Sequence, residues 1–119
     1  MVLALENNLG VTGTADRLLE VVDAVNSDWL RVTMDTGNFL RDTYENLRKI
    51  ARVTTLVHAK TYFGGGLWYT QEIDYGKVST ILRDVDYRGY VSIEHEGKEI
   101  PEIAVQKALE LLATKMGIR

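Results

Sequence analysis

A strand pattern followed by a helix pattern recurs four times along this 119-residue chain, and nothing else in it narrows the choice of fold as far. The aliphatic run Val2–Glu6 stops at polar Asn7-Asn8, as a strand buried on both faces does. After the loop Gly10–Gly13, Thr14 sits as an N-cap. Ala15, Leu18, Leu19, Val22 and Val25 then fall at helical spacing, opposite Asp16, Arg17, Glu20 and Asp23. Leu30–Met34 is the second strand, ending at Asp35, and the loop Thr36–Asn38 leads to a helix near Thr43 with Tyr44, Leu47, Ile50 and Ala51 on one face. Thr55–His58 is the third strand. A glycine-rich loop, Tyr62–Gly66, follows it, and Asp74 then caps a helix carrying Val78, Ile81, Leu82 and Val85. Tyr90–Ile93 is the fourth strand, ending at Glu94. Pro101 opens the last helix, with Ile103, Val105, Ala108, Leu109 and Leu112 on its apolar face and Gly117 as its stop. Strict alternation of this kind means α/β with a parallel sheet and right-handed crossovers. Four such units are half of a (β/α)8 barrel, which takes about 250 residues to close. The expectation is one half-barrel domain over residues 1–119. Its bare sheet edges and uncovered face invite pairing, completed in the expected assembly by a second copy as a homodimer.

Composition removes several function classes. Lys and Arg number 14 against 17 Asp and Glu, a net charge of −3 without a basic cluster, so the footprint of a nucleic-acid binder is missing. With no cysteine there is no disulfide framework, thiolate nucleophile or Cys-type zinc site. No apolar run approaches the roughly 20 residues of a membrane span, and no basic segment precedes an apolar stretch at Met1. The expected setting is cytoplasmic, with no membrane partner.

The residues at the carboxyl ends of the four strands are Glu6, Asp35, His58 and Glu94. In parallel α/β folds the active site gathers at that edge. Taken singly, each acid reads as a helix cap or solvated loop residue, and the histidine as a packed imidazole. Together, at one register of a repeating unit, three carboxylates and an imidazole make a site for one hard or borderline divalent cation, Mn²⁺ first, with Mg²⁺, Co²⁺ and Zn²⁺ as alternatives. Without a cation the carboxylates repel one another, and at least one retains its proton.

Five segments carry a resemblance: Leu5–Asn8, Met34–Phe39, Val57–Lys60, Glu72–Tyr75 and Ser92–Gly97, in that order. The chain resembles the carboxyl-terminal half of the sugar phosphate isomerase/epimerase family. That family is the xylose isomerase-like TIM barrel group, which also holds ketose 3-epimerases, inosose dehydratases and the endonuclease IV branch. The resemblance implies that Glu6, Asp35, His58 and Glu94 hold the metal. It further implies that Glu6 and Glu94 are the catalytic pair, one removing a proton beside a cation-chelated hydroxy-ketone and the other returning one. The expected substrate is a sugar, sugar phosphate or polyol.

Lys60 is a candidate substrate contact, with a solvated loop lysine as its alternative reading. Asn38 and Asn8 stand where many members of that family place histidines, and are assigned to substrate contact. Trp68, among the aromatics around the glycine-rich loop, is assigned to stacking on a sugar face, with packing in a dimer contact as its alternative. With only His58 and His95 in the chain, a trinuclear zinc cluster of the endonuclease IV kind cannot be assembled. By strand alternation His95 points away from the site and Glu96 back toward it. The leading expectation is a metal-dependent sugar isomerase or epimerase. Its competitors are a half-barrel remnant or fragment that dimerises without turnover, and an inosose dehydratase-type lyase.

Overall fold

The structure, a computed structural model, describes residues 1–60, 73–97 and 99–117. The glycine-rich loop, Trp68 and Glu72 lie outside the described residues. Strands β1 (Leu3–Glu6), β2 (Leu30–Asp35), β3 (Thr54–Lys60) and β4 (Tyr90–Glu94) lie side by side in chain order, every pair parallel. Each is followed by a helix: α1 (Ala15–Val25), α2 (Thr43–Ile50), α3 (Tyr75–Asp84) and α4 (Pro101–Met116). This is the architecture of half a TIM barrel, with an open sheet.

The helix starts form where the sequence provides caps. Thr14 Oγ1 accepts from the Arg17 amide at 3.4 Å, and Asp74 Oδ1 accepts from Gly76 and Lys77 at 3.0 and 3.1 Å. Pro101 occupies the first turn of α4, and Gly117 ends it in the left-handed region at φ 69°. The core lies between the helices and one face of the sheet. Leu18, Val32, Met34, Leu47, Ile50, Val57 and Val78 are fully buried there. Each such side chain is worth about 1.5–3 kcal/mol by removal from water.

Alternation along the strands sends Glu6, Thr33, Asp35, Leu56, His58, Lys60 and Glu94 to the opposite face, the one that would line the inside of a closed barrel. A bulge decides this for β3. Val32 is level with Thr54 but Thr33 with Leu56, so β3 carries one extra residue at Thr55, and Asp35 comes level with His58. Without that extra residue Asp35 would face Val57, and the imidazole would turn into the helix layer.

Two expectations change. The third strand runs on to Lys60, so that lysine is a strand residue and not a solvated loop one; it is 3% exposed. On α4 the buried stripe is Ala104, Ala108 and Leu112, whereas Ile103 and Leu109 are 46% and 57% exposed and Val105 also faces outward. The stripe follows the i, i+4, i+8 row that meets α3 and the sheet, and among the described residues no element packs on the rest of the apolar face.

Candidate metal centre

The four strand-end residues converge. One ligand atom from each of Glu6, Asp35, His58 and Glu94 lies within 4.8 Å of the other three. His58 Nδ1 is 3.2 Å from Glu6 Oε1 and 3.8 Å from Glu94 Oε2. The glutamates reach it from opposite directions, Glu6 across β2 and Glu94 from the neighbouring β4.

Backbone clamps hold the strand ends at this spacing. Asn7, fully buried, donates from Nδ2 to the Asp35 carbonyl at 3.0 Å and accepts from the Asp35 amide at 2.7 Å, tying the end of β1 to the end of β2. Asn38 donates to the Asn7 carbonyl at 3.0 Å. Asp35 Oδ1 accepts from the Gly37 amide at 2.7 Å, which aims the other oxygen, Oδ2, into the site. A second clamp closes a ring: the Lys60 amide donates to Thr36 Oγ1 at 3.0 Å, Thr36 Oγ1 lies 3.2 Å from the Tyr75 hydroxyl, and that hydroxyl donates to the Lys60 carbonyl. Because the Tyr75 proton is used on Lys60, Thr36 donates to Tyr75. Burial pushes the Tyr75 phenol well above its ordinary range, so it remains a donor.

The charge balance inside the site is unusual. Lys60 Nζ lies 3.3 Å from Asp35 Oδ2, 3.3 Å from Glu94 Oε2 and 2.6 Å from Glu96 Oε2. Asp35 Oδ2 and Glu94 Oε2 are buried without a well-directed hydrogen-bond donor. Burial first, and the Glu94 carboxyl second, push Asp35 up to about 8, so near neutrality it keeps a proton. Burial alone would also raise Glu94, but the neighbouring Asp35 carboxyl and the nearby Lys60 charge hold it below its usual range. Lys60 would be lowered by burial, yet Glu96, Asp35 and Glu94 together hold it above its ordinary value.

Three carboxylates and one imidazole, with two buried oxygens lacking a directed donor, suit a hard or borderline divalent cation. Glu6, Asp35, His58 and Glu94 are the residues that would hold it.

The other expected site residues fall as follows. Lys60 and Glu96 are at the site. Asn38 is buried with its amide on the Asn7 backbone, and Asn8 is exposed, its Oδ1 accepting from the Leu9 amide at 2.7 Å. His95 points away, its Nε2 3.0 Å from the Glu99 carbonyl. Sequence reasoning overlooked Asn7, Thr36 and Tyr75. Asn7 carried a signal, a polar residue one place beyond a buried strand, but it read as a strand terminator. Tyr75 was given no role, since nothing local joins it to Lys60.

Comparison with known proteins agrees with this fold. The sequence profile of the xylose isomerase-like TIM barrel family matches residues 1–115. Among curated proteins no significant match exists. A xylose isomerase domain protein from Planctomyces limnophilus is similar at 27% identity and a TM-score of 0.75, over 96% of this chain and 44% of that one. A D-psicose 3-epimerase superposes at 19% identity and a TM-score of 0.74, over 98% of this chain and 50% of that one. A 3-keto-D-glucoside 4-epimerase from E. coli does so at 20% identity and 0.73, over 96% and 46%. The likeness to these epimerases is one of fold. The chain spans half or less of the length of each.

Proposed function

The chain belongs to the xylose isomerase-like TIM barrel family, and from that premise we propose that it carries the metal centre and proton-transfer groups of a sugar or sugar-phosphate isomerase or epimerase. The observation that carries this reading is the convergence of Glu6, Asp35, His58 and Glu94 within 4.8 Å at the carboxyl ends of successive parallel strands. Glu6, Asp35, His58 and Glu94 would hold a divalent cation, Mn²⁺ in the first instance, which would supply the Lewis acidity that polarises a carbonyl and acidifies the C–H beside it. Glu6 and Glu94, on either side of His58, would work from two directions, one taking the proton and the other delivering one to the opposite face. Asp35 is the deeply buried ligand, fixed by Asn7 and Gly37, and its role is to hold geometry.

A second reading, a half-barrel that binds a cation without turnover, is favoured by one observation. The Glu6, His58 and Glu94 side chains are 34%, 27% and 33% exposed, so water reaches the acid–base pair from the open face of the sheet.

The test uses the purified chain dialysed against Mn²⁺, with His58→Ala alongside. About one cation per chain, lost in the variant, is expected, followed by deuterium uptake from D₂O into a ketose that Glu94→Gln abolishes. Metal without exchange would leave the second reading. No bound metal would sink both.

A further inference from the structure

Resting on the metal-centre reading above, we propose that the Lys60 ammonium is the site's built-in counter-ion, seated among the metal ligands and displaced from Asp35 and Glu94 toward Glu96 when a divalent cation binds. Three observations combine. Lys60 is 3% exposed, deeper than an amine is placed without a purpose, and its Nζ is 3.3 Å from both Asp35 Oδ2 and Glu94 Oε2. Those are the same two buried oxygens that lack a directed donor. The ammonium and a divalent cation therefore call on the same acceptor atoms, and at such separations their like charges repel by at least about 1 kcal/mol.

The rest of the geometry allows an exchange. The ring through Thr36 and Tyr75 fixes the Lys60 main chain at both its amide and its carbonyl, so movement is left to the side chain. Glu96, 2.6 Å from Nζ and about two-fifths exposed, stands outside the ligand set and remains as a partner at the rim. Without Lys60 the metal-free chain would leave the Glu94 carboxylate beside the buried Asp35 carboxyl without the ammonium that faces both, a costly arrangement. The lysine thus lets the site fold before metal arrives and tempers how tightly metal is held.

The experiment is titration of metal-free protein with Mn²⁺ by calorimetry, paired with thermal melts, for the wild type, Lys60→Met and Lys60→Gln. The glutamine variant keeps a polar contact to the carboxylates should the methionine variant fail to fold. Expected are a lower Tm without metal, a Kd for Mn²⁺ tighter by about tenfold, and a larger metal-induced rise in Tm than in the wild type. Variants that bind Mn²⁺ no more tightly than the wild type, or whose lost stability Mn²⁺ does not restore, would overturn the exchange while leaving the metal centre standing. A wild-type chain that binds no Mn²⁺ would overturn both.

Discussion

Asp35 sets the pH behaviour of the metal-free protein. Its carboxyl is raised from 3.8 to about 8 by burial and then by Glu94, so the folded chain keeps a proton that the unfolded chain releases above about pH 4. Stability from a raised group is full at low pH and is lost as pH climbs toward the folded value. Glu94 shifts the other way and matters only on the acid side of its ordinary range. Melts of metal-free protein are therefore expected to show Tm falling between about pH 5 and about pH 8, with a flatter profile in Asp35→Asn. A wild-type profile no steeper than that of Asp35→Asn would show that Asp35 is ionised in the fold. The identity of the four converging residues was legible in the sequence because the end of a strand is a local property. The protonation of Asp35 was not, since it arises from burial and from Glu94, which is far along the chain.

At the scale of elements, the side-chain amide of Asn7 fastens the carboxyl ends of β1 and β2 beyond their paired ladder. Asn7 makes both backbone bonds to Asp35, and β1 is an edge strand with a single partner among the described residues. Asn7→Ala leaves a buried N–H and C=O unsatisfied and is expected to lower stability by about 2–4 kcal/mol in denaturant titrations. It should also weaken Mn²⁺ binding, because Glu6 then loses its fixed place beside the other ligands. Equal Mn²⁺ affinity in a folded variant would show that Glu6 is held by something else. The helices themselves were readable from caps and spacing. Residues Thr14, Asp74, Pro101 and Gly117 act where the pattern predicts, because capping involves groups only a few positions apart. The face of α4 was misjudged for the converse reason: which of its apolar residues are covered depends on neighbours, and the hydrophobic pattern alone does not name them.

For the whole molecule the open sheet is the governing feature. Edge strands β1 and β4 expose Leu3 at 61% and Tyr90 at 84%, and α4 turns Ile103 and Leu109 outward. Such surface sits badly in water, and in the solved structures of similar fold the matched region is half of the chain or less. We propose that a second copy covers these surfaces when the 119-residue chain is studied alone, with more than about 1,000 Å² buried. Native mass spectrometry is expected to show twice 13.4 kDa, and Leu109→Glu to shift the population toward monomer. A monomeric wild type would refute the pairing.

By itself the sequence determined the alternation of strands and helices, the order of the elements, and the three acids that end their strands with one histidine near the end of its own. All of these follow from periodicity and capping within a dozen residues. Only the tertiary structure decided that a bulge at Thr55 brings His58 level with Asp35, that Asn7 and Tyr75 clamp the strand ends, and that Lys60 sits inside the ligand set. Register and burial come from pairing across strands, and the energy of that pairing belongs to residues some twenty to fifty positions apart, beyond the reach of any local pattern.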